Sequence, residues 1–145
     1  MATKGKKETG ASWSTIPLDD ELGEALRAEL LGWPGVAARP MMGTLAFFRG
    51  EQLLGVYVNR TLTKSKLKWL NRGGEPTLAW VRLRREDAER ALQRPGVSKC
   101  RLGFAGWIEV PLESRVLLQE AVRWFGHGYA HPAPKAAARN SKKRR

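Results

Sequence analysis

Apolar and polar positions follow two different periods along this chain, and the points where the period changes divide it into elements. Leu18, Leu22, Ala25, Leu26 and Leu30 recur at three- and four-residue spacing, which predicts a first helix over Leu18 to Leu31. Pro17 suits its start, Asp19, Asp20 and Glu21 complement its positive end, and Trp33-Pro34-Gly35 stops it. The period then shortens to two. Thr44 to Phe48 and Leu53 to Val58 flank Arg49-Gly50-Glu51-Gln52, the pattern of an antiparallel hairpin. Thr77 to Leu83 alternates again, with Leu78, Trp80 and Arg82 on one face and Ala79, Val81 and Leu83 on the other.

A short helix is predicted from Arg85 to Gln93, opened by Glu86, Asp87 and Glu89 and stopped by Pro95-Gly96. Two more strands, Lys99 to Leu102 and Trp107 to Val110, surround Gly103 and Gly106, and Pro111 closes the second. A last helix over Glu113 to Phe125 puts Val116, Leu117, Ala121 and Trp124 on its apolar side and ends near Gly126 and Gly128. The expected fold is therefore α+β: a mostly antiparallel sheet flanked by an N-terminal helix, a short middle helix and a C-terminal helix. Trp33, Trp80, Trp107 and Trp124 are expected in the core, while Trp13 either packs back on the domain or marks a contact surface.

Composition narrows the class. The 145 residues, 42% hydrophobic, suffice for one domain with a real core, expected over residues 13–131. No apolar run nears the roughly 20 residues of a membrane span, and Met1 to Gly10 has no hydrophobic stretch behind it, so no membrane partner is expected and the cytoplasm is the expected compartment. The single cysteine, Cys100, excludes an internal disulfide and reads as a small buried hydrophobe on a strand.

Charge changes the picture more. The net charge is +12, and it is local. Residues 1–12 carry +2 and read as a disordered basic lead; residues 132–145 carry +6 without an acid and read as a disordered basic tail. Residues 60–72 carry +5, which leaves −1 for everything else. Arg60, Lys64, Lys66, Lys68, Trp69 and Arg72 make the best candidate for binding nucleic acid. Extended, the three lysines line one face that can follow phosphates, and Trp69 offers a stacking surface to an unpaired base. The same lysines equally suit an edge strand protected from aggregation. Lys142, Lys143, Arg144 and Arg145 end the tail as a cationic arm for DNA or RNA, or as a non-specific solubilising extension.

Other chemistry is thin. His127 and His131 stand four apart, a metal-sharing interval on a helix, with Glu120 seven residues before His127, but Gly126, Gly128 and Pro132 argue against a regular helix there. No metal or cofactor is expected, nothing brings Cys100 to either histidine, and the glycines form no phosphate cradle. Without convergent titratable groups, no enzyme is expected.

Certain short motifs suggest relatives. Arg39-Pro40-Met41-Met42-Gly43 before a hairpin resembles the "R-x-M-F-G" opening of the TfoX/Sxy N-terminal domain family. Val81 to Asp87, then Gln93-Arg94-Pro95-Gly96-Val97, is similar to that family's strand, helix and "L-P-G-A" turn. Gly106 to Pro111 followed by a helix resembles its closing strand. The likeness spans residues 18–131, and the related YjbR-type fold shares the layout. Met42 stands where the family usually has Phe, and residues 60–76 resemble an insertion. The resemblance implies a regulatory role; it does not reach the helical second domain of competence regulators. A domain that instead binds a protein partner or small ligand on its sheet, with incidental basic tails, is the alternative.

Overall fold

The structure is a computed structural model that describes residues 13–59 and 75–134. Residues 13–15 are helical, and α1 follows over Glu21–Leu31. The first helix thus starts three residues later than its apolar stripe predicts. Asp19 adopts a positive φ of 55° and Asp20 is extended, so the chain turns sharply before the first helical residue, and buried Leu18 lies outside the helix.

A strand that the sequence pattern misses comes next, β1 over Val36–Met41. Pro40 interrupts its alternation, and a proline is tolerated because β1 is an edge strand. It joins β2 (Thr44–Arg49) through Met42-Gly43, whose φ values of 49° and 80° are both positive, as a two-residue primed hairpin turn requires. Glycine takes such a φ freely; Met42 does so with its side chain exposed at the tip. The hairpin to β3 (Gln52–Val58) turns at Gly50, as expected, and a bulge beside Phe47/Phe48 shifts the register.

β4 spans Leu78–Arg82, α2 spans Arg85–Ala91, β5 holds only Ser98–Lys99, and β6 spans Trp107–Pro111. The final helix, α3, runs Arg115–Ala130, five residues past its expected end. Gly126 and Gly128 do not break it, because tertiary packing outweighs a glycine's propensity cost of about 1 kcal/mol. A side chain at Gly128 would press on the Arg82 carbonyl, so this glycine lets the helix approach β4 closely.

All neighbours in the six-stranded sheet, ordered β1-β2-β3-β4-β6-β5, are antiparallel. Leu26 and Leu30 of α1, Ala88 and Ala91 of α2, and Leu118, Ala121, Trp124 and Phe125 of α3 share one core with Leu45, Phe47, Tyr57, Ala79, Val81, Ile108 and Val110 of the sheet. The α3 stripe is rotated from the predicted one: Val116 is exposed, whereas Leu118 and Phe125 are buried. Ala46, Val56, Val58, Leu78, Trp80 and Cys100 form a second cluster on the opposite face. The two-faced reading of β4 is thus observed, Trp80 and Trp124 are buried, and Trp13, Trp33 and Trp107 pack on the clusters half-buried.

Candidate functional site

All ten residues singled out for nucleic-acid binding, Arg60, Lys64, Lys66, Lys68, Trp69, Arg72, Lys142, Lys143, Arg144 and Arg145, lie outside the described residues. What the structure defines is the ground they are attached to. Val58 of β3 pairs with Leu78 of β4, so the flanks of residues 60–74 meet at one end of two central strands.

That end is held by a buried polar network around Asp20. Tyr57 donates its hydroxyl hydrogen to Asp20 Oδ2 at 2.6 Å, and the Thr77 hydroxyl donates to the same oxygen at 2.7 Å. Asn59 Nδ2 donates to the Tyr57 oxygen at 2.8 Å and to the Leu18 carbonyl at 3.0 Å. Burial, then the Asp20 hydrogen bond and charge, push the Tyr57 phenol well above its ordinary range, so it stays a neutral donor. A carboxylate held by two hydroxyl donors fixes the geometry of the elements it joins.

A second network reaches the returning flank. Arg101 grips the buried Glu109 through Nε (2.9 Å) and Nη2 (2.7 Å) and reaches Glu75 through Nη1 at 3.0 Å. Trp80 Nε1 donates to Glu109 at 3.1 Å. The Glu109 and Glu75 bonds hold the Arg101 guanidinium firmly protonated.

The C-terminal side leaves from elsewhere. Ala133 is buried, and Arg82 Nη2 donates to the Pro134 carbonyl at 2.7 Å, at the far end of β4 from Leu78. Four residue steps of about 3.3 Å separate those ends by about 13 Å. Residues 60–74 and 135–145 thus adjoin opposite ends of one strand.

The histidine pair sits otherwise than expected. α3 carries His127 inside the helix, and His131 is its C-cap, with ring centroids 6.4 Å apart. His127 stacks on Trp124 at 4.6 Å and approaches buried Asp87 at 3.9 Å, too far for a hydrogen bond. Burial lowers the His127 pKa, with the Asp87 charge opposing and Arg90, His131 and Arg123 adding to it. Glu120 does not turn toward the histidines; Arg94 holds it by Nε (2.8 Å) and Nη2 (3.1 Å), and Trp124 Nε1 donates to it at 2.8 Å. Among the described residues, no three of His, Cys, Asp and Glu converge as a metal site.

Between α2, β5 and the loop before β6 lies a cleft of about 560 Å³. Leu83, Ala88, Leu92, Phe104 and Trp107 line it, with Arg85, Glu89 and Lys99 among its polar groups and Pro134 at its wall. Cys100 touches the cleft but is 97% buried, and burial raises its thiol pKa, so it is a poor nucleophile, in line with a core position.

The roles of Asp87 and Glu120 as buried anchors for arginines escaped sequence reasoning. The signal was present as Arg84, Asp87 and Arg90 at three-residue intervals, and as Glu120 three before Arg123 and four before Trp124. No family model matches the chain, and neither a curated protein nor a solved structure does so. No helix among the described residues is long and apolar enough to cross a membrane.

Proposed function

We propose that this chain is a non-enzymatic, regulatory or nucleic-acid-associated protein that binds polyanions through residues 60–72 and its basic C-terminal tail, in the cytoplasm. One observation carries the reading: the described residues sum to a charge of −1, while the stretches outside them, residues 1–12, 60–74 and 135–145, sum to +13. Cations so concentrated release counterions from a phosphate backbone in proportion to the contacts made. Two polar networks at the base of residues 60–74 give that stretch a rigid mount, as a binding element on a scaffold has. The motif resemblance to the TfoX/Sxy N-terminal domain supports regulation.

Fluorescence anisotropy with a labelled 20-base-pair DNA duplex and a single-stranded RNA of equal length tests the reading. Lys64→Ala, Lys66→Ala and Lys68→Ala together are expected to reduce the salt slope by about 2.7 on duplex, at about 0.9 per phosphate contact. A chain ending at Pro134 is expected to lose more. Unchanged binding in both would overturn the reading.

The cleft beside Phe104 favours a second reading, a module that binds a small ligand or protein partner, because its lining is largely apolar and Phe104 is exposed. Failure of the full chain to bind either nucleic acid at 50 mM salt, together with saturable quenching of tryptophan fluorescence by an apolar probe, would favour it.

A further inference from the structure

We infer that the outward faces of Arg90 and Arg123, at the seam between α2 and α3, form an additional docking surface for the phosphate backbone of a nucleic acid. This rests on the reading above and places a contact on the folded body itself.

Four guanidinium groups meet two carboxylates along this seam. Arg84 Nε donates to Asp87 Oδ2 at 2.9 Å, and Arg94 embraces Glu120 with two nitrogens. These two arginines are committed. The other two are held loosely: Arg90 Nη1 lies 3.3 Å from Asp87 Oδ1, and Arg123 Nε lies 3.9 Å from Glu120 Oε2. Their side chains are 63% and 51% exposed, whereas those of Asp87 and Glu120 are 0% and 8% exposed. Each guanidinium has five N–H donors, and Arg90 and Arg123 direct at most one each at a carboxylate. The carboxylates root the arginines from below and cannot themselves meet a ligand.

The seam is continuous. Arg90 touches Asp87, Asp87 faces His127, His127 stacks on Trp124, and Trp124 donates to Glu120, which binds Arg94 and Arg123. Its solvent side therefore presents Arg90, Arg94 and Arg123, with the partly exposed His127 and with exposed His131 beyond. Of the nearby acids, Glu89 lines the cleft, while the exposed Glu86 lies four residues before Arg90 on α2 and approaches Arg84 Nη1 at 3.5 Å. A row of forked donors with free positions matches successive phosphates better than a single small anion.

The test uses the full chain and the labelled 20-base-pair duplex between 50 and 200 mM NaCl. Arg90→Gln with Arg123→Gln is expected to weaken binding about tenfold or more and to make the salt slope shallower by about 1.8, two contacts at about 0.9 each. Arg90→Gln alone should give half that change in slope, and Arg90→Lys with Arg123→Lys should restore the slope. The midpoint of thermal unfolding should not move, because Asp87 keeps Arg84 and Glu120 keeps Arg94. Wild-type affinity and slope in the double glutamine variant would overturn the inference even if the three lysines prove essential. Loss of binding there, with the lysine and tail variants unaffected, would leave the seam standing and remove the reading based on residues 60–72. No binding by the wild-type chain would remove both.

Discussion

Among the carboxylate networks of the described residues, two are built to opposite ends. At the root of residues 60–74, Asp20 receives hydroxyl hydrogens from Tyr57 and Thr77, and no cation bonds to it among the described residues. At the α2–α3 seam, Asp87 and Glu120 are outnumbered two to one by arginines. A hydroxyl gives its one hydrogen to the carboxylate and has no donor left over, so the first network is a clamp. Charged donors with five N–H groups each saturate the carboxylates and leave a surplus, so the second has a surface left to use. The lesson is to count donors remaining, not bonds formed.

The comparison can be broken most forcefully at Asp87. Asp87→Ala is expected to destabilise the fold by about 3 kcal/mol, the low end for breaking a buried ion pair because Arg84 and Arg90 both reach solvent; urea denaturation measures it. Tyr57→Phe comes next, at about 2 kcal/mol by the same measurement, since Asp20 loses a donor and buried Asn59 loses an acceptor. Asp87→Ala should weaken nucleic-acid binding as well, because it unseats Arg90. Arg90→Gln with Arg123→Gln should alter stability by no more than about 0.5 kcal/mol while weakening binding.

The smallest effect is on pH. Asp87 and Arg90 face His127 from α2, and Arg123, Trp124 and His131 from α3 and its C-cap. Because burial lowers its pKa in the folded chain, the unfolded chain takes up this proton first as pH falls through the ordinary imidazole value of about 6.5. Stability should therefore decline slightly from pH 7.5 to 5.5, and His127→Gln should flatten that decline in chemical denaturation curves. A second, steeper loss belongs lower, in the carboxylate range. Burial is the largest single influence on Asp87 and opposes its charge, but the Arg84 bond together with the charges of Arg84, His127 and Arg90 outweighs it, and the Arg94 bond leads for Glu120, so both carboxyls sit below their usual values.

The sheet-and-helix layout was legible because alternation and helical stripes survive in the sequence wherever one face is buried. β2, β3, β4 and α2 fall close to their predicted places. β1 was hidden by Pro40, whose meaning at an edge strand depends on where the strand sits. α3 was cut short because Gly126 and Gly128 read as breakers, while Gly128 in fact lets the helix pack closely on the Arg82 carbonyl. The arginine seam was harder to see. Its spacings are local, but Arg94 meets Glu120 across 26 residues, and which arginines keep free donors depends on burial that no spacing encodes.

The placement of Leu78 and Arg82 at the two ends of β4 makes that strand a ruler. Its length of about 13 Å matches about four base pairs of duplex axis, or about eight backbone charges. Affinity measured against the length of a single-stranded oligonucleotide is expected to rise until both basic stretches are engaged, and the length at which it levels off reports the spacing at which the protein presents its charge.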